Sequence, residues 1–293
     1  MDDNAALLQA ATEVDKLICL YCVETASGGP GWQQPAKLSP RRREFLFEAL
    51  EDLDSQLSQY GQKLIVRMQS PLEAIAQLIT VHNVSHLYSS NHVGSHEKRI
   101  WSTLSKRYSM LQFTQSHTHT LFDPSQLPFS IDQLPESFSK FRKLVEKMDL
   151  DAVISAPLDA PTRLPPPALV ADMAWQPVWR KHFPSSANDQ APALFKGGAS
   201  AGEEHFKGYF AKNLASSYKQ TRNGLDGMDY STKFSPWLAN GSLSPRRIVQ
   251  QLKQYEARAG ANDSTYWIFF ELLWREYFQW YGHRHQQRLF AFS

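Results

Sequence analysis

Residues 218–246 read YKQTRNGLDGMDYSTKFSPWLANGSLSPR. The stretch holds two helix starts and no strand pattern. Pro236 cannot sit deep in a helix but suits a first turn, and Ser244-Pro245 repeats the signal with a capping hydroxyl ahead of the proline. Ser231, Thr232 and Ser235 place hydroxyls around Lys233, beside the free N–H groups that a helix start offers to an anion. Two readings stand here: a cradle for phosphate or pyrophosphate, or side chains that only cap a helix. For Ser244 and Pro245, capping is the whole expectation. Upstream, Tyr218 and Arg222 lie at i and i+4, which puts an aromatic and a cation on one helical face before a glycine-containing turn.

Downstream, residues 264–282 read STYWIFFELLWREYFQWYG, with Asp263-Ser264 as the expected cap. Helical spacing puts Trp267, Glu271, Trp274 and Phe278 on one face, an acid between two indoles, with Arg275 and Glu276 to either side. Aromatic stripes at this period are ordinarily core. A carboxylate among indoles is costly unless paired, hydrogen-bonded or used, so the interleaved Glu and Arg point to a cleft that stacks flat polar rings.

The front of the chain has a different rhythm. KLICLYCV (16–23), KLIVRM (63–68), VSHLYS (84–89) and LQFTQ (111–115) read as strands separated by helical stretches, the pattern of an α/β domain with a parallel sheet. Ser39-Pro40 and Ser70-Pro71 mark helix starts, Ser70 with Glu73 fits a capping box, and Gly61 is placed to end the first of those helices. DDNAALLQA (2–10) already reads as an acid-capped helix with no strand before it, so a first strand is expected to be missing. Residues 155–202 hold 8 of the 17 prolines and end near KGGASAGEE, which marks a connector. The expected organisation is an α/β domain over residues 1–150, a proline-rich linker over 151–202 and an all-α domain over 203–293.

Bulk composition fits two globular domains: 293 residues, 42% hydrophobic, net charge +2. Residues 196–293 hold 13 Lys+Arg against 8 Asp+Glu, so the positive surface belongs to the last third, compatible with a polyanion partner. The lack of an apolar run of membrane length and of a signal-like start sets a cytoplasmic expectation. Cys19 and Cys22 sit in a strand pattern where residues three apart point to opposite faces, so structural thiols are expected and not a redox or zinc site. His117 and His119 share a strand face without a third ligand, and His283 and His285 lie apart from them in sequence; no metal is expected.

Taken together, the run 218–246 and YWIFFELLWREYF (266–278) resemble the flavin-binding half of the cryptochrome/photolyase family, specifically its cryptochrome DASH branch. DDNAALL (2–8) looks like the start of that family's first helix, and HTLFDPSQLPF (119–129) with FSKFRKLVEK (138–147) looks like the end of its antenna domain. The resemblance implies an α/β antenna domain, a long linker and an all-α domain holding FAD in a folded shape, with 5,10-methenyltetrahydrofolate as a common antenna. It implies light-driven repair of cyclobutane pyrimidine dimers, preferentially in single-stranded DNA. Carried over residue by residue, Tyr218 and the segment Ser231, Thr232, Lys233, Phe234, Ser235 match FAD-binding positions, and Arg275 matches the wall of the cofactor and lesion pocket. Arg222 matches a DNA contact, Glu271 and Trp274 match catalytic positions at the lesion, and Glu146 matches the acid that contacts the folate. The family pattern continues beyond RHQQRLFAFS (284–293), which sets two expectations: weak FAD retention by this chain alone, and a separately encoded partner for the helices that follow. The competing expectation is a non-catalytic nucleic-acid-binding or regulatory photoreceptor remnant.

Overall fold

The computed structural model describes residues 1–24, 39–168, 194–225 and 227–290. Residues 169–193 of the expected linker lie outside them. In the front half, helices and strands alternate: α1 (Ala5–Glu13), β1 (Cys19–Cys22), α2 (Pro40–Ser58), β2 (Leu64–Arg67), α3 (Pro71–His82), β3 (His86–Ser90), α4 (Ser95–Arg107) and β4 (Gln112–Ser116). Helix starts follow local chemistry. Ser39 accepts from the Arg42 N–H and Ser70 from the Leu72 N–H, each ahead of a proline, although Ser70 forms no capping box with Glu73. At the first helix the cap is Asn4, which accepts from Leu7 N–H at 3.0 Å, and not an acid. Gly61, at φ 71°, lies in the turn from α2 to β2.

Among the described residues the strand pairs are parallel, and they form two separate two-stranded pairs in place of one sheet. β1 pairs with β2 with Cys19 opposite Leu64, and β3 pairs with β4 with His86 opposite Gln112. Val23 N–H reaches Arg67 O, and Asn91 N–H reaches Ser116 O. In a parallel strand a residue's N–H and C=O point the same way, so the odd-numbered residues of β1 and β3 bond inward to their partners. Leu20 and Cys22, and His86, Tyr88 and Ser90, turn their backbone groups to the other edge, where among the described residues no strand meets them. One helix spans the interruption: Leu7 and Ala11 of α1 pack on the β1–β2 core, and the Tyr88 hydroxyl of β3 donates to Glu13 at 2.8 Å. His96 and Glu24, 2.8 Å apart, join the two pairs at the strand ends. Burial pushes both Cys19 and Cys22 thiols up to about 11, which keeps them protonated and unreactive.

Beyond β4, short turns lead to α5 (Phe138–Val145) and α6 (Leu150–Val153), and every later element described is helical: α7 (Ala199–Ala211), α8 (Tyr218–Thr221), α9 (Ser235–Asn240), α10 (Pro245–Ala259) and α11 (Asp263–His285). The cap of α11 is Asn262, one residue earlier than expected, accepting from Ser264 and Thr265 N–H. One large core joins this half. Leu121, Phe122, Phe138, Phe141 and Val145 pack with Phe206, Tyr209, Phe234, Ile248, Leu273 and Trp280. Residues 121–145, which follow β4, thus contribute to the helical core.

Two polar clusters lock the halves together. Buried Asp3 accepts from Leu158 N–H, from the Ser244 hydroxyl and from Arg246, which ties the chain's first turn to the start of α10. Fully buried Glu276 accepts from the N–H groups of Leu121 at 2.8 Å and Phe122 at 3.2 Å, and from the Trp280 indole at 2.7 Å. Burial pushes the Glu276 carboxyl up to about 7, against the pull of those three donors and of Arg275.

Replacing Glu276 by Ala orphans three buried donors and is expected to cost about 3 kcal/mol in urea unfolding; a loss under about 1 kcal/mol would show that the 121–122 turn finds other partners. The raised folded-state value also sets a pH dependence. The folded state keeps a proton that the unfolded chain has released, so this group's contribution is present below about 4.5 and is lost as pH rises through about 7. His119, lowered to about 4, and His283, lowered to about 3, act in the opposite sense, losing stability as pH falls below about 6.5. The stability difference between wild type and Glu276→Gln should therefore move in favour of wild type as pH falls from about 7.5 to 5; a flat difference contradicts the assignment.

Candidate functional site

The segment before α9 is shaped by what it does not do. Helix α9 begins with Phe234 at its cap position and has no side-chain cap bond. Among the described residues no hydrogen bond engages the hydroxyls of Ser231, Thr232 or Ser235, whereas Ser244 accepts from Arg246 and Arg247 N–H as a cap should. Capping therefore explains Ser244 and leaves Ser231, Thr232 and Ser235 unexplained. Lys233 holds φ at 53°, a left-handed conformation unusual for a long side chain and of the kind that clusters at functional sites.

Packing holds the turn in place from behind. The Phe234 ring is buried against Phe206, Tyr209 and Phe210. His205 bonds to Thr232 O at 2.8 Å and lies flat on Trp237, 5.0 Å between centroids. Trp237 is buried, and its indole donates to Lys196 O. Gly202 makes room for it: a Cβ there would lie 2.8 Å from the indole. α8 is pinned to the start of α11, with Lys219 N–H donating to Ser264 Oγ at 3.1 Å and its ammonium 2.9 Å from Asp263.

These elements enclose a hollow of about 720 Å³, lined by Tyr218, by Ser231 to Ser235, by Leu238 and Ala239, and by Ile268, Glu271, Leu272, Arg275 and Gln279 of α11. From the α/β half, His92, Val93 and His119 complete the lining. Its size is that of a small-molecule cleft. Arg275 donates to His119 O and to Leu238 O, so its guanidinium fastens three elements at the wall. Burial lowers its proton affinity, yet it stays cationic, since guanidinium groups do not lose their proton in proteins. Arg222 pairs with Glu271 and lies over the Trp267 ring at 4.3 Å. Burial also raises the Tyr218 phenol, with Glu271 adding to the shift.

The expected acid-and-indole face divides in two. Glu271, Arg275 and Gln279 recur every four residues and face the hollow, while Trp274 lies three residues on from Glu271 and turns the other way. The Trp274 ring stacks flat on Phe138, 3.7 Å away at 15°, with Phe278 on its far side. Trp274 is thus absent from the lining. So is Glu146, which caps the end of α5, accepts the Tyr266 hydroxyl at 2.5 Å and pairs with Arg142 at 3.3 Å. Ile268 and Gln279 were findable from their spacing to Glu271. His92 and His119 carried no such signal, because they enter from loops after β3 and β4. Among the described residues no group of three or more His, Cys, Asp or Glu is arranged for a metal ion, and no helix is long and apolar enough to cross a membrane.

Comparison with known proteins places this geometry. A family model described as DNA photolyase matches residues 1–166. Cryptochrome DASH of Vibrio parahaemolyticus is 46% identical over 294 residues, covering 100% of this chain and 63% of the relative. The crystal structure of the Synechocystis cryptochrome superposes with a TM-score of 0.88 at 34% identity, over 99% of this chain and 60% of that one. An archaeal photolyase from Sulfolobus tokodaii, solved with two FAD molecules, shares the fold at a TM-score of 0.67 and 17% identity, over 97% of this chain and 57% of its own. The chain thus spans about three fifths of the length of these relatives. With an α/β layer matched by the family model, a helical half behind it and near-complete coverage by cryptochrome DASH relatives, the chain belongs to the cryptochrome/photolyase family, in its cryptochrome DASH branch.

Proposed function

We propose that this chain acts as a blue-light flavoprotein, holding FAD in the hollow and repairing cyclobutane pyrimidine dimers, preferentially in single-stranded DNA. One observation carries the reading: the Ser231, Thr232 and Ser235 hydroxyls line a dinucleotide-sized hollow with Lys233 and Arg275 and are not spent on capping. Those donors fit the diphosphate of FAD, and Tyr218, Ile268 and Leu272 supply the apolar surface that keeps water from a flat ring. The flavin of the Sulfolobus tokodaii photolyase supports this cofactor. A reduced flavin held there would supply the light-driven electron that dimer opening needs.

The chain's own groups do the rest. Ser231, Thr232 and Ser235 donate to the diphosphate while Lys233 and Arg275 neutralise it. Glu271 accepts from the polar edge of an extruded dimer, and Arg222 holds a neighbouring phosphate. In the free chain these two side chains satisfy each other, so an arriving phosphate competes for Arg222 and frees Glu271. Family resemblance alone supports a lesion-facing role for Trp274 and a folate contact at Glu146.

FAD fluorescence titration tests the cradle: Ser231→Ala with Ser235→Ala should bind about tenfold more weakly than wild type. A wild-type chain that takes up no flavin sinks the reading, and flavin binding without dimer opening in illuminated single-stranded DNA would leave only a photoreceptor. Arg222→Ala should weaken binding to single-stranded DNA about fivefold and lower the salt dependence by about one phosphate contact. An unchanged salt slope removes Arg222 from the nucleic-acid interface.

A further inference from the structure

Besides α8, the 231–235 turn, α9 and α11, the hollow is lined by residues of the α/β half. His92 and His119 lie in loops that leave the C-terminal ends of β3 and β4, and both line the hollow beside Arg275. They also border the broad groove between the two halves, so they stand where the two spaces meet. Their rings meet edge to face, 5.3 Å apart at 83°.

Each ring keeps at least one nitrogen without a hydrogen-bond partner among the described residues. Gly94 N–H donates to His92 Nδ1 at 3.0 Å, so a neutral His92 ring carries its proton on Nε2, free for whatever enters the hollow. Glu97, at 3.6 Å from Nδ1, is beyond hydrogen-bond range. Arg275 fixes the His119 backbone through its carbonyl, and the His119 ring has no hydrogen-bond partner among the described residues. Burial, with His92 and Arg275 nearby, holds His119 neutral, lowered to about 4. Two imidazoles beside a guanidinium, with no carboxylate hydrogen-bonded to either ring, make a wall suited to an anion.

We infer that His92 and His119 are further ligand-binding residues of the hollow, donating imidazole N–H groups to the diphosphate of a bound dinucleotide alongside the 231–235 turn. This rests on the hollow being the dinucleotide site. Its consequence is that the ligand is gripped by both halves of the molecule, with the α/β half contributing to cofactor affinity directly.

The test compares FAD, ADP and riboflavin on wild type, His92→Ala and His119→Ala. FAD and ADP carry the diphosphate and should each bind about tenfold more weakly to either variant, while riboflavin, which lacks phosphate, should bind as it does to wild type. Unchanged FAD and ADP affinity, or a parallel fall for riboflavin, overturns the inference and leaves the hollow's assignment standing. A wild type that binds none of the three removes the dinucleotide site and this inference with it. A second measurement needs no variant: ADP added to wild type should slow amide hydrogen exchange at residues 91–94 and 117–120, and an unchanged rate there counts against contact with this wall.

Discussion

A carboxylate with no access to water organises this molecule. Glu276 sits in the middle of α11 and takes two consecutive backbone N–H groups from the turn that leaves the α/β half, with a third donor from its own helix. The turn at Leu121 and Phe122 cannot pair these groups with a strand, and leaving them bare inside the core would be costly. Meeting that need fixes the rotation of α11. With Glu276 turned toward 121–122, its neighbour Arg275 is left facing His119 O and Leu238 O, and Glu271 and Gln279 are brought to the same open side. The hollow is therefore a by-product of satisfying a buried turn, and its wall inherits the rigidity of the core behind it.

The opposing wall is rigid for a different reason. Phe234 and Trp237 are anchored among aromatic rings, His205 holds Thr232 O, and the five residues between Tyr230 and Pro236 have little freedom left. Hydroxyls presented by so constrained a backbone do not need to be ordered when a ligand arrives, which lowers the entropic cost of binding. The left-handed Lys233 belongs to the same arrangement: its backbone strain is tolerated because packing on both sides determines the turn.

Much of this was legible from residue order. Strand and helix alternation up to Gln115, the all-helical character of the later half and the hydroxyl-rich turn all follow from short-range periodicity and capping chemistry, which depend on neighbours a few residues apart. Other features depended on contacts that periodicity does not encode. Helical spacing grouped Glu271 with Trp274, but the two sit on different sides of α11 because one faces an open hollow and the other finds Phe138, 136 residues earlier. Asp263 was expected to cap α11, yet Asn262, one residue earlier, reaches the free N–H groups. Glu276 read as a flanking acid; its partners at 121 and 122 are more than 150 positions away.

The interruption between the two strand pairs has a consequence of its own. Along β1 and β3, every second peptide group turns a donor and an acceptor toward an edge that no strand meets among the described residues, and an uncovered edge of this kind is a template for extended polypeptide. Among the described residues, α1 and the contact between Glu24 and His96 reach across that opening.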